Sequence, residues 1–161
     1  MNEIEIEEER KFTIADDETL FRLVSTPGCI SESGSLSPDI FSLYHRNEYY
    51  VSMIRELFCS VDEALAFGKQ IKRWPMREDV YYGLLRMNAK KIREVSSRIR
   101  LLPYFSNANP SHAGISFVQD DGTFLTHTGN EVAPVWLLAI QIKLCRIVEE
   151  VVKASNVNYG V

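Results

Sequence analysis

Apolar and polar residues alternate along several short stretches of the chain, and this pattern predicts a β-sheet. In residues 112–117 the apolar residues Ala113, Ile115 and Phe117 fall on one face, and His112, Gly114 and Ser116 fall on the other. Asp121-Gly122 is typical of a tight hairpin turn, so a return strand is predicted over residues 123–127. The other predicted strands cover residues 20–25, 49–58, 80–87 and 99–104.

Helical patterns account for the remaining elements. Glu63 lies three residues after Ser60, as in a capping box, which predicts a helix that ends before Trp74-Pro75. A short basic helix is predicted over residues 90–95. Behind Pro134, apolar residues repeat at helical spacing and predict a long C-terminal helix (Leu137, Ile140, Leu144, Val148 and Val151).

The first two turns of that C-terminal helix, residues 135–140, are apolar on every side. Such a segment either packs deeply across the sheet or is covered by a partner on its second face, and packing is the expectation. Together these elements predict an α+β fold: a single domain with a mostly antiparallel sheet of about five strands and the long C-terminal helix packed on it.

Charge divides the chain into two parts. Residues 1–19 hold eight acids and two bases, so we expect an acidic N-terminal tail or edge strand there, followed by a single α+β domain over residues 20–161. In contrast, residues 69–100 hold ten bases and three acids, with aromatic residues between them, a pattern that nucleic-acid-binding segments also have. Because the net charge of the whole chain is -4, we expect these bases to form a solvated surface.

The composition narrows the class of protein. The hydrophobic and charged fractions, 45% and 25%, are ordinary for a globular domain, and no uncharged apolar run is long enough to span a membrane. The three cysteines, Cys29, Cys59 and Cys145, match neither a metal motif nor a disulfide framework. We therefore expect a cytoplasmic protein with reduced thiols, no cofactor, no metal site and no membrane contact.

The candidate binding residues lie around the polar loop that leads into His112. Pro110 stiffens this loop, and the strand that follows fixes the direction of the imidazole. On a two-residue hairpin turn, His127 would lie opposite Ser116, on the same polar face as His112. His112 would lie about 13 Å along the strand from Ser116, so the two histidines would be too far apart to share an ion. The alternative to binding is that the loop side chains bond only to the backbone.

Several short sequence features, taken together, also point to the candidate binding residues around His112. The chain has an early Arg22-x-Val24, a Ser/Pro loop before Phe41, a strand around Met53-Ile54-Arg55, then Ile92-Arg93 and a late Asn109-Pro110-Ser111-His112-Ala113. In these features it resembles a loose group of small uncharacterised bacterial proteins. Ser111 stands where that group usually has alanine, and the middle strand departs from the group's Leu-Ser-Val. The resemblance implies that Arg22, Asn109 and His112 share one surface. The predicted binding residues are Arg22, Asn109, Ser111 and His112.

Two classes of function remain open from the sequence. The first expectation is a non-catalytic interaction or accessory module that acts with another bacterial protein. The alternative is an enzyme or binder for a nucleotide-like ligand, on a fold similar to the ADP-ribosyltransferases, which place a strand Arg or His, then Ser, then Glu around NAD. Arg22 and the serines of residues 31–37 fit that order, but no late glutamate is clearly placed. No catalytic set is assigned, and nucleic-acid binding through residues 69–100 is a third alternative.

Overall fold

The structure, a computed structural model, describes residues 2–25, 28–31, 33–43, 47–70, 83–103, 110–127 and 132–153. Within these ranges the strands are β1 (Thr19–Val24), β2 (Val51–Arg55), β3 (Gly83–Asn88), β4 (Ile99–Pro103), β5 (His112–Phe117) and β6 (Glu150–Lys153). The helices are α1 (Glu3–Phe12), α2 (Val61–Gln70), α3 (Ala89–Val95) and α4 (Val135–Arg146). Two 3-10 turns cover Pro38–Phe41 and Glu56–Phe58.

The strands form one sheet in the order β4-β5-β2-β1-β3-β6, and every described pairing is antiparallel. The predicted α+β class, with an antiparallel sheet and a C-terminal helix packed on it, is therefore confirmed. The sheet has six described strands, not about five, because residues 150–153 add an edge strand beside β3.

The sheet carries apolar side chains on both faces. Because side chains alternate along a strand, Val51 and Met53 point to one face and Ile54 to the other. The first face forms the larger core, which includes Leu144 of α4 and Ile92 of α3. The second face forms a smaller cluster, in which Ala64 of α2 packs with residues of β1 and β3.

Three segments differ from the sequence-based expectations. Residues 3–12 form a helix with a capping box between Asn2 and Glu5, not an edge strand. The hairpin after β5 returns through a single bridge, Val118 to Phe124, because the turn is longer than two residues and Gly122 takes a positive φ of 85°. Helix α4 ends at Arg146, so Val151 belongs to β6 and not to the helix.

No helix among the described residues could cross a bilayer. The longest of them, α4, has 12 residues and one fully packed side. This side contains Leu144, which is completely buried, and Leu137 and Ile140, which are nearly so.

Candidate functional site

Ser52 and His112 form a hydrogen-bonded pair on the second face of the sheet. The Ser52 hydroxyl lies 2.9 Å from Nε2 of His112. Across the β2–β5 ladder Ser52 is opposite Gly114, while His112 is opposite Ile54. The serine and the histidine are therefore diagonal neighbours, and the absence of a side chain at Gly114 leaves the imidazole room to reach the hydroxyl.

The environment of His112 favours the neutral imidazole. The side chain is half-buried, and burial lowers its pKa below the usual value because desolvation penalises the charged form. Tyr50 packs edge-on against the imidazole, with ring centroids 5.6 Å apart and planes at 67°. This contact and the bond to Ser52 hold the ring in one orientation.

Further aromatic side chains continue outward from this pair. Tyr50 packs edge-on against Tyr49 with centroids 5.2 Å apart, and Tyr49 lies nearly parallel to Phe124 at 6.1 Å. Tyr49 and Phe124 are 37% and 36% exposed, so the outer part of the series is open to solvent. We call Tyr50, Tyr49 and Phe124 the aromatic row. It forms an apolar surface that leads from solvent to His112.

Arg22 meets the same serine through the backbone. Its Nη1 donates to the Ser52 carbonyl at 2.9 Å and its Nε donates to the Ile40 carbonyl at 3.0 Å. Strands β1 and β2 pair at only two described positions. Beside these positions, the guanidinium of Arg22 links the two strands through its bond to the Ser52 carbonyl. Arg22 is 9% exposed and points to the same face as Leu20, opposite to His112. Arg22 and His112 thus both bond to Ser52, Arg22 to its carbonyl and His112 to its hydroxyl, but the two side chains do not share one exposed surface.

The other two predicted binding residues lie at the start of β5. Ser111 is buried, and its carbonyl accepts a 2.7 Å hydrogen bond from the backbone N–H of Arg55. This bond extends the β2–β5 ladder by one position. Asn109 lies outside the described residues.

His127 does not join the predicted polar face. Its backbone N–H donates to the Glu48 carbonyl at 2.9 Å, and its own carbonyl accepts from Asn47 at 2.7 Å. The returning chain therefore bonds to the end of β5 only as far as Leu125, and at His127 it runs beside the segment before β2. His112 is instead hydrogen-bonded to Ser52, which the sequence pattern predicts only as part of a strand. The alternation of β2 places Ser52 on this face, but only the β2–β5 register places it near His112.

The six bases of residues 86–100 face groups of the same chain. Arg93 pairs with Asp16 at 2.7 Å, Arg98 with Asp120 at 2.6 Å, and Arg100 donates to two backbone carbonyls. The other three lie near carboxylates at longer distances (Arg86 with Glu150, Lys90 with Glu94 and Lys91 with Glu149). These contacts lower the positive potential available to a phosphate backbone. Lys72, Arg73, Arg77 and the side chain of Lys69 lie outside the described part of the chain.

Helix α4 has one packed side and one bare side. Val135, Leu138, Ala139 and Ile142 recur at the spacing i, i+3, i+4 and i+7 opposite the packed residues. We call these four residues the outer stripe. Val135 is 93% exposed and Leu138 54% exposed, and Ala139 is exposed as well. Packing on the core therefore accounts for only one side of this apolar segment, and the outer stripe is left uncovered by the described residues.

The thiols and carboxylates offer no metal site within the described part of the chain, where no group of three or more suitable ligands occurs. Cys29, Cys59 and Cys145 are all free thiols. Burial, with a smaller contribution from Cys29, raises the pKa of the Cys145 thiol to about 11.

Comparisons of the chain with protein families, with curated proteins and with solved structures find no match.

Proposed function

We propose that the chain is a protein-interaction module that presents the outer stripe of α4 to an apolar groove on a partner protein. The observation that carries the proposal is the exposure of Val135 and Leu138 on a helix whose opposite side is packed into the core. Adjacent exposed apolar side chains of this kind mark interaction sites more often than single ones do. The spacing of the stripe is the one that helices use when they bind in grooves.

The charges of α4 specify the chemistry of the partner. The helix contains Lys143 and Arg146 and no acid. Both bases are exposed and form no ion pair with the described residues. A complementary groove is therefore apolar along most of its length and carries carboxylates at the end that receives the C-terminal turn of α4.

A different protein fits this stripe better than a second copy of the chain. A stable interface takes about 20–30 residues from each side, and four side chains fall well short of this when two flat surfaces meet. A groove encloses a helix and buries more of each side chain. The bases of residues 86–98 are engaged in ion pairs within the chain, which favours a protein partner over a nucleic acid. The three free thiols suit the reducing cytoplasm.

The test compares two exposed apolar residues on opposite sides of the molecule. Leu138 lies on α4 and Phe67 on α2, and they are 54% and 51% exposed. Tagged Leu138→Asp and Phe67→Asp chains are expressed in cells that contain the natural partner, and bound proteins are quantified. We expect Leu138→Asp to lose one protein that Phe67→Asp retains, with the melting temperatures of both variants unchanged. Equal capture by the two variants would refute the proposal.

A further inference from the structure

The second face of the sheet carries an arrangement that the interaction role of α4 does not use. We propose that Ser52 and His112 act as a nucleophile and its general base on carboxylic esters whose apolar acyl group lies along the aromatic row. The site and the outer stripe lie on opposite faces of the sheet, so each proposal can fail without the other.

The geometry between the two side chains is that of an activated hydroxyl. A serine is a weak nucleophile unless a base within hydrogen-bond reach takes its proton, and Nε2 of His112 lies 2.9 Å from Oγ of Ser52. The base must be neutral to accept this proton, and burial of His112 favours the neutral form. Tyr50, edge-on to the imidazole, fixes the direction of the ring.

The nucleophile is held from the other side of the sheet as well. Arg22 donates to the Ser52 carbonyl at 2.9 Å, which anchors the backbone from which the hydroxyl projects. Arg22 does not reach the reacting atoms and is a positioning residue. Ser52 itself is neither fully buried nor fully exposed, so its hydroxyl is fixed in direction without being sealed in the core.

The aromatic row defines the class of substrate. Tyr49 and Phe124 stack almost parallel and are each about one-third exposed, so the exposed parts of the two rings form an apolar surface beyond Tyr50. An acyl chain of several carbons would cover this surface when the ester carbonyl lies at Ser52. The site is thus matched to medium-length apolar acyl groups and not to acetate.

The reaction balances with water as the second substrate. Oγ of Ser52 bonds to the ester carbonyl carbon while its proton moves to Nε2 of His112. The ester C–O bond then breaks, and the leaving alkoxide takes that proton. Water, deprotonated by His112, attacks the acyl-serine, releases the carboxylic acid and returns the proton to Ser52.

A fluorophosphonate probe tests the nucleophile directly, because it reacts with activated serines and leaves a stable adduct. We expect a single adduct, mapped by mass spectrometry to Ser52, on the native chain. Ser52→Ala should abolish it, and His112→Gln should slow its formation by about 10²-fold or more. Ser60→Ala is the matched control, since the Ser60 hydroxyl donates to the Glu63 carboxylate and not to an imidazole. That variant should label like the native chain.

Hydrolysis of p-nitrophenyl esters tests the role of the row. We expect octanoate to be preferred over acetate, and Tyr49→Ala to reduce that preference about tenfold or more. Melting curves of each variant establish that the fold is retained. If His112→Gln fails to fold, the loss of the probe adduct and of ester hydrolysis in Ser52→Ala is the deciding result. An absent adduct, an adduct on another serine, or ester hydrolysis that persists in Ser52→Ala would overturn the proposal.

Discussion

Arg55 and Glu18 form a buried ion pair in which Nε and Nη2 of the guanidinium each donate to one carboxylate oxygen, at 2.8 and 2.9 Å. The same guanidinium donates to the backbone carbonyls of Arg10, Lys11 and Thr13 at the end of α1. Helix α1 buries none of its residues, so these bonds fix its position on the sheet.

Loss of the Glu18 carboxylate should destabilise the fold strongly. The Arg55 side chain is completely inaccessible, and without its partner the cation would stay buried and uncompensated. We expect Glu18→Ala to lower the free energy of unfolding by about 3–5 kcal/mol, measured by urea denaturation. Glu94→Ala, which removes an exposed ion pair with Lys90, is the control and should change it by less than about 1 kcal/mol. Similar small losses in both variants would contradict the role given to Arg55.

Gly83 should tolerate no side chain. It has a φ of 135° at the start of β3, and a Cβ there would overlap the carbonyl oxygen of Val152 in β6. The backbone conformation alone should cost Gly83→Ala about 1–3 kcal/mol, and displacement of β6 adds to this. Gly122→Ala is the matched control, since Gly122 also has a positive φ but open space around it. Equal denaturation midpoints for the two variants would show that β6 does not approach β3 so closely.

Cys145 should be slow to react with thiol reagents in the folded protein. Its pKa is raised to about 11, so little thiolate forms at pH 8. Iodoacetamide labelling followed by mass spectrometry should modify Cys145 quickly only after unfolding in guanidinium. Cys59, which is less deeply buried, should be modified earlier than Cys145. Faster modification of Cys145 than of Cys59 in the native chain would contradict the packing of Cys145 against the core.

His112 should make stability depend on pH near neutrality. Its folded pKa lies below the unfolded value of about 6.5, so the unfolded chain takes up the proton first as pH falls. The contribution to stability is therefore fully present above about pH 6.5 and is lost as pH falls through the folded pKa. Between pH 7.5 and 5.5 the melting temperature of the native chain should fall more than that of His112→Gln. Parallel melting curves across this range would exclude burial of the neutral imidazole.

The sequence predicts well those features that depend on local pattern. Alternation at residues 112–117 locates β5, and helical spacing with Pro134 locates the start of α4. The end of α4 is not predictable in the same way, because Val148 and Val151 continue the helical spacing and no glycine marks the stop. Val151 fits a helix stripe or a half-buried edge strand equally, and its pairing with Leu85 decides for the strand.

Contacts between residues that are far apart in the sequence cannot be predicted from the pattern of apolar and polar residues. Ser52 and His112 are 60 residues apart, and Arg55 and Glu18 are 37 apart. In the sequence Arg55 is one polar residue among apolar ones, although strict alternation with Val51 and Met53 places it in the core. Its burial depends on Glu18 and on the carbonyls at the end of α1, and no single segment shows that combination.

The most direct test of the central claim is site-specific photo-crosslinking in cells that contain the natural partner. Benzoylphenylalanine is placed at Ala139, at the centre of the outer stripe, and in a second chain at Phe67, on the other face of the sheet. We predict that Ala139 crosslinks to one protein, within an apolar groove that carries carboxylates at one end. We also predict that the chain with the probe at Phe67 does not crosslink to this protein, and that Leu138→Asp suppresses the crosslink from Ala139. Identical crosslinks from both positions, crosslinks from Ala139 only to a second copy of the chain, or a crosslink unaffected by Leu138→Asp would contradict the account.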